Sequence, residues 1–67
     1  VITLIINGAT RQLPLNTTVE ALIEALGFAG KRIAIECNGD IVPRSRFATQ
    51  TLSHGDKLEI VVAVGGG

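Results

Sequence analysis

The stretch TTVEALIEALG, residues 17–27, carries the clearest periodic signal in the chain. Val19, Leu22, Ile23 and Leu26 stand at i, i+3, i+4 and i+7, so four apolar side chains share one face of a helix. Thr17 followed three residues later by Glu20 has the spacing of a capping box, in which each side chain satisfies a backbone N–H left free in the first turn. Gly27 supplies the left-handed conformation that stops the helix. A lone amphipathic helix must bury its apolar stripe against another element, and the flanking segments read as strands.

On the N-terminal side, residues 1–6 (VITLII) are rich in β-branched side chains, and Asn7-Gly8 suits the positive φ angles of a tight hairpin turn. A second strand is expected over residues 10–15; Pro14, without a backbone donor, places it at a sheet edge. On the C-terminal side, residues 33–38 alternate, with Ile33, Ile35 and Cys37 on one face and Ala34, Glu36 and Asn38 on the other. Asn38, Gly39 and Asp40 form a turn, Ile41 and Val42 a brief strand that Pro43 stops, and residues 44–53 an irregular connection with at most one helical turn. His54, Gly55 and Asp56 make another turn. The last strand spans residues 57–64, with Leu58, Ile60, Val62 and Val64 alternating toward the core.

The order ββαββ predicts an α+β fold: a mixed sheet of four to five strands with one helix on one face, the pattern of the ubiquitin-like β-grasp. Residues 1–64 form the expected domain, and residues 65–67 a flexible glycine tail. The sheet face away from the helix must be solvated or covered by a partner. Alternation directs Ile5, Val61 and Ala63 to that outer face, where a contiguous apolar patch beside the tail marks a partner interface.

Bulk properties narrow the function classes. A chain of 67 residues buries only about 60% of the surface that its unfolded form exposes, which leaves little room for a deep catalytic pocket. Six basic and six acidic residues give a formal charge of zero, so no basic face is available to neutralise the phosphates of a nucleic acid. Two Phe and no Tyr or Trp offer little for base stacking. The chain shows no membrane-length apolar run and no signal-peptide pattern, so no membrane partner and a cytoplasmic location are expected. Cys37 is the single cysteine and excludes an internal disulfide; its alternation with Ile33 and Ile35 makes it a core-facing structural thiol rather than a sulfur-transfer group.

Other chemistry-bearing residues read as structural. His54 sits in a Ser-His-Gly-Asp turn without an orienting partner, which describes a solvated turn histidine. Ser45 and Ser53 lie in no nucleophile motif, and one His and one Cys make no metal site. The Asn-Gly pairs resemble no phosphate-binding loop. Arg44 and Arg46 are surface charges by composition, and their place beside Val42 and Pro43 adds a partner-contact hypothesis.

Five stretches together resemble the ThiS family, the ubiquitin-like sulfur carriers of thiamine biosynthesis. They are the early hairpin, TVEALIEAL at 18–26, ECNGDIVPRSRF at 36–47, HGD at 54–56 and EIVVAVGGG at 59–67. The resemblance covers essentially the whole chain, and the VPR and HGD stretches are more specific than the glycines. It implies a protein co-substrate, not an enzyme, with no bound cofactor. An E1-like adenylyltransferase would adenylate the Gly67 carboxylate with ATP. A sulfur donor, a cysteine desulfurase or sulfurtransferase, would convert the acyl-adenylate to a thiocarboxylate, and thiazole synthase would take the sulfur. Gly65 and Gly66 would thread the tail into the partner, because residues without Cβ adopt backbone angles and pass constrictions closed to others; three extended residues reach roughly 10 Å. The related sulfur carrier of molybdopterin synthesis shares fold and tail and is one alternative. A β-grasp interaction module that is never modified is another, and an enzyme acting without partner proteins is the weakest.

Overall fold

Asn7 and Gly8 both take positive φ, 50° and 80°, as a two-residue turn matched to strand twist requires. They join β1 (Ile2–Ile6) to β2 (Ala9–Leu13) as an antiparallel hairpin with Ile6 opposite Ala9. Asn38 and Gly39, at 54° and 88°, repeat the device between β3 (Ile33–Cys37) and β4 (Asp40–Ile41). The computed structural model describes residues 1–63. Its sheet has five strands in the order β2-β1-β5-β3-β4, where β5 spans Lys57–Val62. β1 and β5 run parallel and the other neighbours antiparallel. β2 is an edge strand, as the missing donor of Pro14 predicts, but it ends at Leu13 rather than running on through Pro14 to Leu15.

Helix α1 (Val19–Ala25) crosses one face of this sheet. Seven residues are too few to hold a helix alone, so burial sustains it: Val19, Leu22 and Ile23 are buried with Leu26 packed beside them. They meet Ile2, Leu4 and Ile6 of β1, Ile35 of β3, and Leu58 and Ile60 of β5 in one apolar cluster, closed by Val42 and Leu52 from the loops. Among the described residues no buried residue is polar or charged.

The helix start differs from the expected capping box. Thr18, not Thr17, is the N-cap, its hydroxyl accepting from the Ala21 N–H at 3.1 Å. Thr17 instead donates its hydroxyl to the Pro14 carbonyl at 2.6 Å. The Thr17 N–H that Glu20 would answer donates to the Pro14 carbonyl at 3.3 Å, and with Thr18 as cap the third helical position is Ala21; the Val19 and Glu20 N–H groups donate to the carbonyls of Gln50 and Phe47 at 2.9 and 2.8 Å. The stop is as expected. Gly27 at φ 79° donates to Glu24 O and Phe28 to Ile23 O, the paired bonds of a Schellman motif.

The connection from β4 contains a single 3-10 turn, Arg44–Arg46, as the sequence allows. β3 ends at Cys37 because Asn38 enters the turn, and β2 starts one residue early at Ala9. β5 is held on one side by β3 through Val62, and the Ala63 N–H extends that ladder to Arg32 O at 2.8 Å. Val64, expected to end the strand, lies outside the described residues with Gly65, Gly66 and Gly67.

Candidate functional site

β5 is the element that leads toward Gly67 in the chain, and it lies inside the sheet between β1 and β3. Its alternation buries Leu58 and Ile60 against α1 and leaves Lys57, Glu59 and Val61 on the outer face. Val61 is 62% exposed and lies opposite exposed Ala34 of β3. With exposed Ala63 these form an apolar area where the described chain ends.

Ile5, 39% exposed, is registered with Lys57 rather than Val61. Four residues of strand separate those two positions, about 13 Å. Between them stands Glu59, directly opposite Glu36 of β3. The expected single apolar patch is therefore divided: Val61, Ala34 and Ala63 at the tail end, Ile5 at the other, and an acidic cross-strand pair in the middle.

Arg44 and Arg46 are both exposed, and Arg44 belongs to a different surface. It lines a groove of about 350 Å³ on the helix side together with Glu24, Phe28, Lys31 and Phe47. The candidate interface residues thus fall on two faces of the molecule.

The HGD turn proves to be a structural knot. His54 Nδ1 accepts the Thr3 N–H at 3.0 Å, so His54 has the orienting partner that the sequence did not reveal. Gly55 donates to Thr3 O, and Ile5 donates to Asp56 O. The Asp56 carboxylate accepts from Ser53 N at 2.8 Å and from Asn38 Nδ2 at 2.9 Å, while Asn38 Oδ1 accepts from Lys57 N. The loop 54–56 is thereby tied to β1 and to the β3–β4 turn, and its polar groups are occupied in positioning β5.

Cys37 is half-buried against the core. Burial, then the negative charge and hydrogen bond of Asp56, then Asp40, push its thiol above the ordinary value of 9.0. A thiol so shifted stays protonated near neutrality and is a poor nucleophile. Among the described residues no group of three His, Cys, Asp or Glu side chains is placed to hold a metal ion.

These positions describe a small body whose central strand ends at one margin of an open sheet face. The ThiS family model matches residues 4–67, the glycines included. The chain belongs to the ThiS family. Its ubiquitin-like β-grasp architecture is that of the thiamine biosynthesis protein ThiS from Geobacter metallireducens, whose crystal structure superposes with a TM-score of 0.82 at 29% identity, covering 98% of this chain and all of that one. A thiazole synthase of Paramagnetospirillum magneticum is 47% identical over 64 residues, 96% of this chain. The chain spans only about a fifth, 20%, of that protein's length. The protein ycf40 of Pyropia yezoensis, uncharacterized, is 34% identical over 62 residues, 92% of this chain and 87% of its own. Membership of the ThiS family supports a sulfur-carrier role in thiamine biosynthesis.

Proposed function

We propose that the chain carries sulfur on the carboxyl group of Gly67 for the thiazole moiety of thiamine. The observation that carries this reading is the family match running through Gly67 on a β-grasp body. A carboxylate is a poor acylating agent because its leaving group is oxide. An E1-like adenylyltransferase overcomes this by bringing ATP: the Gly67 carboxylate attacks the α-phosphate, pyrophosphate departs, and the mixed anhydride offers AMP as leaving group. An α-carboxyl with an ordinary pKa near 3.5 is ionised and ready for that attack at neutral pH. The outer sulfur of a persulfide on a cysteine desulfurase or sulfurtransferase then attacks the acyl carbon and displaces AMP, a thiol reductant cleaves the resulting acyl disulfide to leave a thiocarboxylate on Gly67, and thiazole synthase receives the sulfur. The thiazole synthase that contains a region similar to this chain supports that recipient.

The chain supplies no catalytic side chain and binds no cofactor in this scheme; ATP belongs to the adenylating partner. Its contribution is presentation. Gly65 and Gly66 thread into the partner, Val61 and Ala63 with Ile5 dock the outer face, Arg44 makes a separate contact at the helix-side groove, and Arg46 adds a second exposed charge from the same turn. Incubation with the adenylyltransferase, ATP and the sulfur donor is expected to raise the intact mass by the difference between sulfur and oxygen. An unchanged mass, under conditions that convert a known carrier, sinks the reading.

A further inference from the structure

The amide of Asn7 does more than make a turn. β1 accompanies β5 for a short distance only: Ile5 pairs with Lys57 and Ile6 with Leu58, and the Asn7 N–H donates to Leu58 O at 3.0 Å. There the chain reverses into β2. The next residue of β5 that faces this side is Ile60, and no backbone of β1 reaches it. The Asn7 side chain takes that place. Its Oδ1 accepts the Ile60 N–H at 2.7 Å, and its Nδ2 donates to the Ile60 carbonyl at 3.1 Å. One primary amide therefore reproduces both bonds of a neighbouring strand's peptide, between residues 53 apart in sequence. On its other side β5 is held by β3 and by Arg32 O. The Asn7 amide extends the two-sided hold on β5 from Leu58 to Ile60, beyond which the described residues are held on the β3 side through Val62 and Ala63.

We propose that Asn7 is a positioning residue: by clamping Ile60 it fixes the direction in which β5 delivers the tail to the adenylating partner. This rests on the reading of Gly67 as the activated residue. From Ile60 to Ala63 the strand covers about 10 Å, so a tilt of about 10° displaces its end by nearly 2 Å. The four residues after Ala63 span at most about 14 Å when fully extended, so the direction in which β5 leaves the sheet sets the region within which Gly67 is presented. Displacements of about 1 Å at a reacting group can cost about a hundredfold in rate. The clamp therefore affects the chemical step more than the docking of the body.

Asn7→Gly removes both bonds and keeps a residue that accepts the turn's positive φ, while Asn7→Asp keeps the acceptor for Ile60 N–H and loses the donor. Two quantities are read for each variant and the native chain: hydrogen exchange at the Ile60 amide, and carrier-dependent pyrophosphate release by the adenylyltransferase as kcat and KM. The expected result is faster Ile60 exchange with kcat reduced about tenfold in Asn7→Gly, KM within about threefold of native, and Asn7→Asp between the two. Faster exchange with native kcat in both variants makes the clamp purely structural and overturns the proposal. A loss confined to KM overturns it as well, by assigning Asn7 to docking. If Asn7→Gly fails to fold, the comparison of Asn7→Asp with the native chain decides by the same two readings. No pyrophosphate release with the native chain refutes the Gly67 reading itself, and the positioning role falls with it.

Discussion

Cys37 shows how a residue that invites a sulfur-chemistry reading is turned to structural use. The folded state holds its thiol proton more tightly than the unfolded chain does, through burial first and the carboxylates of Asp56 and Asp40 second. The unfolded chain thus releases that proton at lower pH, and stability falls as pH rises. The contribution is complete well below 9.0 and is lost as the pH climbs through the raised folded-state value. Chemical denaturation between neutral and alkaline pH is expected to show this decline, and Cys37→Ala to flatten it; an equal decline in that variant would assign the effect elsewhere. Alkylation at neutral pH should correspondingly be slower than for a free cysteine in a peptide. The core-facing placement of Cys37 was legible from its alternation with Ile33 and Ile35. The role of the HGD turn was not. His54 finds Thr3 and Asp56 finds Asn38 only once the sheet has formed, and no local pattern encodes a partner 51 residues away.

At the scale of elements, α1 was legible because both its apolar period and its glycine stop are local. Its first turn was misplaced by one residue for a physical reason. Thr17 and Thr18 are both able to cap, and the choice is made by the carbonyls of Phe47 and Gln50, which a distant loop brings to the helix start. Thr18→Ala is therefore expected to lower stability by about 1 kcal/mol, the usual cost of losing an N-cap. Glu20→Ala, which the capping-box arrangement would make nearly as harmful, should cost less than about 0.5 kcal/mol, the range of ordinary surface substitutions. Equal losses in urea unfolding would restore the capping box. The hairpins were legible for the same local reason, since Asn7-Gly8 and Asn38-Gly39 state their turns in two residues. The parallel pairing of β1 with β5 joins the ends of the chain and depends on the whole fold.

At the scale of the molecule, one sheet face packs on the helix and the other is open, and alternation alone assigned Val61 and Ala63 to the open side. The register between strands, which a sequence does not display, decides that Ile5 stands apart from them with Glu36 and Glu59 between. Val61→Asp is expected to weaken binding to the adenylyltransferase or thiazole synthase at least about tenfold, as loss of a buried interface contact does, while leaving the melting temperature near native because Val61 is 62% exposed. Reversal of Arg44 and Arg46 tests the helix-side contact in the same titration, where a loss of only a few tenths of a kcal/mol would mark them as ordinary surface charges. The scheme stands or falls on Gly67. The most direct measurement is the intact mass of the protein recovered from its native cells while thiazole is being made. A fraction carrying sulfur in place of one oxygen, localised by fragmentation to Gly67, is the result expected. Recovery of the unmodified carboxylate alone, or of a chain whose Gly67 is joined to further residues, would contradict it.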